Sequence, residues 1–226
     1  MKPQIRIDSA PIPGSNDELH LFDCGDKYVI KLSDGRGGEL MSSRMHGSED
    51  ALGEIPCRSI AERPGARVLI GGLGMGFTLA AALRVLGADA QVRVAELVPG
   101  VVRWNREILG RLTGYPLEDP RVSIHEGDVA DLMESSQGQF DAILLDVDNG
   151  PSGLTQLENS RLYGKQGVHR ALAALRPQGL LAVWSAAPDE RFSNRLRALC
   201  AGLEELQVYA HGKKGTRHTL WIAVKK

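Results

Sequence analysis

Disulfide and zinc chemistry have little to work with in this sequence. The three cysteines, Cys24, Cys57 and Cys200, lie far apart, and no Cys-x-x-Cys pair occurs. That pattern argues against a disulfide framework and a structural zinc site, and it fits a reducing cytoplasm. Excess charge is also lacking. The formal net charge is −1, with Lys and Arg scattered along the chain, so electrostatics gives no case for a nucleic-acid partner. The short basic cluster of Lys213, Lys214 and Arg217 adjoins a glycine turn and reads as a solvated hairpin tip. No uninterrupted apolar run approaches a membrane span. Residues 1–20, MKPQIRIDSAPIPGSNDELH, contain no apolar core of signal-peptide length. There is no internal repeat and no low-complexity tract. The expectation is a cytoplasmic protein with no membrane, nucleic-acid or metal partner. Its 226 residues suffice for one large α/β domain with a small appendage.

Two compositional regimes divide the chain. Over 1–43, short apolar stretches are broken by Cys24-Gly25-Asp26 and by Asp34-Gly35-Arg36-Gly37-Gly38. These are hairpin signals and predict a small antiparallel β unit. A helix is expected near 48–61, with Ser48 as N-cap, although Pro56 fits poorly inside it. From Arg67 onward, strand and helix patterns alternate strictly, and the helix after ARVLI is expected to close on Gly87. VPGVVRWNREILGRL reads as one helix with Pro99 in its first turn. Alternation of this kind implies a parallel sheet with helices on both faces. EELQVYAHG and TRHTLWIAVKK, joined by a tight turn, add an antiparallel hairpin at the edge. The predicted fold class is α/β, a doubly wound Rossmann-like sheet over 44–226 with the small β unit of 1–43 in front of it.

Candidate functional residues gather at one edge of that sheet. VLIGGLGMGF places Gly72, Gly74 and Gly76 between the first apolar strand and a helix, where glycine permits a sharp turn and close backbone approach to a ligand. The Gly-x-Gly-x-Gly spacing is one residue shorter than the dinucleotide fingerprint and suits a nucleoside sulfonium that has no pyrophosphate. Glu96 ends the second strand, where an acid can accept both hydroxyls of a ribose. Asp128 ends the third. In FDAILLDVDNGPSG, an aliphatic run ends abruptly in Asp146, Val147, Asp148, Asn149, Gly150 and Pro151. Turn chemistry alone accounts for such residues. In open α/β sheets, however, ligands sit beyond the carboxyl ends of the strands, and successive strand ends here carry acids or the glycine loop. His218, Trp104 and Trp184 read as structural residues, with Trp184 emerging at the same edge.

With VLIGGLGMG, VAELVPGVV, DPRVSIHEGD, FDAILLDVDNGP and LYGKQGVHRALAALRPQGLLAVW, the chain resembles the spermidine synthase-like branch of class I S-adenosylmethionine-dependent transferases. The resemblance spans roughly 65–185. It implies S-adenosylmethionine or its decarboxylated form as cofactor, a small-molecule acceptor, no metal and a homodimer. It places Gly72, Gly74 and Gly76 at the methionine part, Glu96 and Leu97 at the ribose, and Asp128 with Val129 at the adenine. Asp146 falls between sulfonium and acceptor, which makes it the first candidate for proton removal and Asp148 the second. Asn149 and Tyr163 fall on the acceptor side.

The departures from that family concern the acceptor. Met75 stands where aminopropyltransferases carry an acid. Asn149 takes the place of a second loop acid, and Leu52-Gly53-Glu54 replaces a Tyr-His-Glu stretch. These changes favour intact S-adenosylmethionine and methyl transfer, with aminopropyl transfer as the alternative. An NAD-linked oxidoreductase and a non-catalytic nucleoside-binding paralogue are the readings from other classes.

Overall fold

The computed structural model describes residues 4–33, 38–147, 150–151, 161–212 and 214–226. Four strands, β1 (Ile5–Pro11), β2 (Glu18–Asp23), β3 (Tyr28–Leu32) and β4 (Glu39–Ser42), pair in sequence order as an antiparallel sheet. Helix α1 (Gly47–Arg58) leads into the second sheet. There, β5 (Arg67–Gly71), β6 (Gln91–Glu96), β7 (Val122–Glu126), β8 (Phe140–Leu145) and β9 (Leu175–Ser185) alternate with α2 (Phe77–Val85), α3 (Pro99–Trp104), α4 (Val129–Glu134) and α5 (Lys165–Ala174). Helix α6 (Glu190–Leu199), β10 (Gly202–His211) and β11 (Lys214–Val224) complete the chain. Among the described residues no helix is long and apolar enough to cross a membrane.

The seven strands lie in the order β10-β11-β9-β8-β5-β6-β7. Neighbours from β7 through β9 are parallel, as the alternation predicts. The final hairpin is inserted rather than appended. β11 is antiparallel to both β9 and β10, so β10 forms the edge and runs in the direction of the parallel strands. This places His218 and Thr219 one strand from β9 instead of at the rim. Chain order reverses on either side of β5, which puts a topological switch between the carboxyl ends of β5 and β8. All six residues of β8 are buried, which explains the unbroken apolar run from Ala142 to Leu145. At its amino end, Asp141 accepts from Arg176 at 2.8 Å and from the Arg67 amide at 2.8 Å, anchoring the face of the sheet remote from the switch.

Several local expectations change. Helix α1 begins at Gly47 with His46 at its N-cap. Ser48 lies inside the first turn and makes no cap because its hydroxyl is turned toward Glu49 and His218. Pro56 is accommodated within the last turn of α1, buried. Helix α2 ends at Val85, with Leu86 extended at its C-cap and Gly87 outside. The helix expected over 98–112 breaks after Trp104 into a π turn (Asn105–Leu109) and a 3-10 turn (Gly110–Leu112). The break coincides with Asn105, whose buried amide donates to Gly74 O at 2.8 Å and to Val101 O at 2.9 Å.

The small sheet is fastened to the large one. Leu21, Tyr28 and Ile30 join the same apolar core as Leu52, Val101 and Trp104. Trp104 Nε1 donates to Asp8 Oδ2 at 2.8 Å and Arg103 pairs with the same carboxylate. Those two bonds hold the Asp8 carboxyl below its ordinary range. The docking carries β4 over the switch point.

Candidate active site

A cavity of ≈ 370 Å³ opens between the small sheet and the carboxyl edge of the large one. β4 and the segment after it contribute Glu39, Met41, Ser42 and Met45. The glycine loop contributes Leu73, Gly74 and Met75. Phe77 and Thr78 come from the start of α2, Glu49 from α1, Asp146 from the end of β8, Trp184 from β9 and His218 from β11. Three of these side chains are carboxylates, and none of the described lining residues is Lys or Arg. Thioether, aromatic and aliphatic side chains make up most of the remaining wall, with Ser42 and Thr78 among them, so an organic cation with apolar parts matches it in charge and polarity.

The loop geometry explains its glycines. Gly72, Gly74 and Gly76 have φ of 88°, 53° and 83°, a region that disfavours residues with a Cβ. A Cβ on Gly72 would stand 2.2 Å from the Asp146 carbonyl oxygen, so the loop runs against the end of β8. A Cβ on Gly74 would meet only the Met41 side chain, which leaves its backbone facing the cavity. Gly76 is the N-cap of α2 and provides no capping side chain. The amides of the first turn therefore open beside Met75, Phe77 and Thr78, a favourable place for an anion.

Asp146 and Glu49 share the cavity floor. Thr78 Oγ1 donates to Asp146 Oδ2 at 2.6 Å. Asp146 keeps some solvent contact through the cavity, yet protein surrounds it closely. Burial pushes its carboxyl up to about 6, against the lowering effect of the Thr78 bond. Glu49 is pushed up to about 7, first by burial and then by the nearby Asp146 charge, with the Ser48 hydrogen bond opposing. Two carboxylates in one desolvated site resist simultaneous ionisation, and they titrate as a pair. Ser48 Oγ lies 2.5 Å from Glu49 Oε2 and 2.8 Å from His218 Nδ1. Burial lowers the His218 pKa and so favours the neutral ring. Its edge meets Trp184 at 4.7 Å between centroids.

Glu96, Leu97, Asp128, Val129 and Tyr163 do not line this cavity. Glu96 is buried behind the glycine loop. Its Oε2 accepts from the Leu73 amide and its Oε1 from the Val98 amide, both at 2.8 Å. Burial raises its pKa against those donors. Each oxygen retains a lone pair for a further donor. Leu97 is 42% exposed. Asp128 caps α4 through the Ala130 amide at 2.7 Å and pairs with Arg161 at 3.0 Å. Val129 is buried against Gly71. Tyr163 is 2% exposed and donates from its hydroxyl to Val147 O at 3.0 Å. Asp148 and Asn149 lie outside the described residues.

Glu49, Ser48, Thr78 and Asn105 carry no sequence signal as site residues. SED at the start of α1 looks like the acidic first turn that complements a helix dipole. Packing reveals their role. A Cβ on Gly53 would stand 2.3 Å from Thr78 O, so glycine there lets α1 lie directly on α2. That contact carries Glu49 to Thr78 and Asp146. His218, read from sequence as a structural strand residue, reaches the cavity because β11 is inserted beside β9.

No known protein-family model and no curated protein matches the chain. Solved structures share its fold. Spermidine synthase from Thermotoga maritima aligns with a TM-score of 0.77 at 19% identity, covering 98% of this chain and 73% of that one. A spermidine synthase in complex with the transition state analogue AdoDATO aligns at 0.76 and 19% identity, covering 98% and 72%. Human methyltransferase-like protein 13 in complex with SAH aligns at 0.58 and 17% identity, covering 79% and 80%. The fold is the one that spermidine synthases share with class I S-adenosylmethionine-dependent methyltransferases.

Proposed function

We propose that this protein is a group transferase that uses S-adenosylmethionine and passes a methyl group to a small-molecule acceptor. One observation carries the reading. An uncapped helix N-terminus behind a glycine loop and two half-buried carboxylates, Asp146 and Glu49, line or adjoin a single cavity at the switch point of the sheet.

The residues present fit a nucleoside sulfonium. Gly74 offers bare backbone to the cavity, and the α2 amides suit a methionine carboxylate. Glu96 retains acceptor capacity for ribose hydroxyls. Asp128 and Val129 follow β7 at the same edge, where an adenine would lie. When bound, S-adenosylmethionine supplies an electrophilic carbon on a positively charged sulfur. The protein's own contribution is position and charge. The Asp146 carboxylate, fixed by Thr78, orients donor and acceptor in line and is the first candidate to take the acceptor's proton. Met41, Met45, Phe77 and Trp184 exclude water around it. A carboxyl raised toward neutrality is well matched to proton transfer near pH 7.

Aminopropyl transfer from the decarboxylated donor is the second reading. The absence of Lys and Arg among the described lining residues, beside Glu39, Glu49 and Asp146, favours it, because such a cavity welcomes a bare ammonium. Met75 and the uncapped α2 N-terminus favour intact S-adenosylmethionine. Competition calorimetry with the two donors separates the readings. A tenfold preference for the decarboxylated form, about 1.4 kcal/mol, would exchange their order.

A further inference from the structure

We infer that Glu49, Ser48 and His218 form a proton wire that carries the acceptor's proton from Glu49 to the His218 ring, and that the acceptor is accordingly an N–H, O–H or S–H compound. The inference rests on the transferase reading above and deepens it. Acceptors without such a hydrogen, a thioether or a tertiary amine, would leave the wire without work.

The geometry is a continuous chain. Glu49 and His218 line the cavity, and Ser48 joins them at 2.5 Å and 2.8 Å. Ser48 is fully buried, so bulk water does not compete for its hydroxyl. A serine hydroxyl has one hydrogen and can donate in only one direction at a time. With Glu49 charged, Ser48 donates to Glu49, and His218 must donate from Nδ1 to Ser48, which leaves Nε2 bare. With Glu49 protonated and donating to Ser48, the hydroxyl turns to His218 Nδ1, and the ring carries its hydrogen on Nε2. Passing from the second state to the first takes one proton off Glu49 and releases one from Nε2. In the reaction, the acceptor's heteroatom forms its bond to carbon while the carbon–sulfur pair stays with sulfur. Asp146 is the first to take the displaced proton; Glu49 shares its cavity and feels its charge, so the proton leaves the pair through Glu49.

The groups facing Glu49 favour this role. Asp146 from β8 and Glu39 from β4 share its cavity. Asp50 on its own helix is engaged by His46 at 2.7 Å and by Arg84 at 3.4 Å. His218 from β11 is the group at the far end. Glu49 holds its proton up to about pH 7, while His218 is lowered by burial. Burial thus biases the ring toward its neutral form, in which the Ser48 contact selects the tautomer.

The test uses the ligand-free full chain labelled with ¹⁵N-histidine. Imidazole nitrogen shifts are followed over about pH 5–9, with His218 assigned by the signals lost in His218→Asn. The wire predicts that the hydrogen moves from Nε2 to Nδ1 as Glu49 loses its proton. Glu49→Gln should remove that pH response, and so should Ser48→Ala, whose backbone amide spectrum checks the fold. A His218 tautomer that stays constant through the Glu49 titration would overturn the proposal, and so would a Glu49 that remains charged throughout. Failure of the transferase reading shows separately, as absent nucleoside binding in calorimetry.

Discussion

The Thr78 hydroxyl donates to Asp146 Oδ2 at 2.6 Å, and it is the contact that opposes the upward shift of the Asp146 carboxyl. Removing the donor while keeping the shape isolates that effect. Thr78→Val should destabilise the protein by about 1–2 kcal/mol at pH 8, where a half-buried charge loses its hydroxyl donor. The deficit should shrink at pH 5, where Asp146 is protonated in the folded state. Denaturant melts of both proteins at the two pH values check it.

Glu49 has the opposite signature. Its folded pKa, about 7, lies above its ordinary 4.5. The folded state therefore binds more protons between those values, and stability falls as pH rises through them. This contribution is fully present below pH 4.5 and lost by the time pH passes 7. Glu49→Gln should flatten that dependence and raise stability at pH 8 by an amount on the order of 1–2 kcal/mol. Thermal melts across the window measure the difference between the two proteins.

A cationic ligand beside the two acids should expel their shared proton. S-adenosylmethionine carries a sulfonium, whereas its demethylated product carries a neutral thioether. Binding of the first near pH 6.5 should release a proton, and binding of the second should release much less. Calorimetry in buffers of different ionisation enthalpy reads this directly. Equal release for both ligands would place the sulfur away from Asp146 and Glu49.

Close approach of α1 to α2 depends on Gly53. A methyl group there would collide with Thr78 O, since its Cβ would lie 2.3 Å away. Backbone cannot swing aside as a flexible side chain can, so Gly53→Ala should cost about 1–3 kcal/mol in stability. It should also move Glu49 away from Asp146 and lower the Glu49 pKa. Carboxyl ¹³C titration gives the second readout.

How much of this was legible before folding follows from range. The strand–helix alternation, the glycine loop and Asp146 at the close of an aliphatic run are local patterns of a few residues. Glu49 and Ser48 imitate an ordinary helix start, and only Gly53, by admitting α2, turns them toward the cavity. His218 depends on β11 entering between β9 and β10, a pairing that no local pattern encodes. The bond from the buried Tyr163 hydroxyl to Val147 O spans residues that no local pattern pairs. The break at Asn105 likewise answers a distant carbonyl, that of Gly74.

A nucleoside-sulfonium site at the switch point is tested by titration calorimetry of S-adenosylmethionine into the wild type and two variants. Saturable binding to the wild type is expected. Glu96→Ala should weaken it by about 1–3 kcal/mol through loss of a charged acceptor. Met75→Asp should shift preference toward the decarboxylated donor. Absence of binding by S-adenosylmethionine, its decarboxylated form and methylthioadenosine alike would contradict the account.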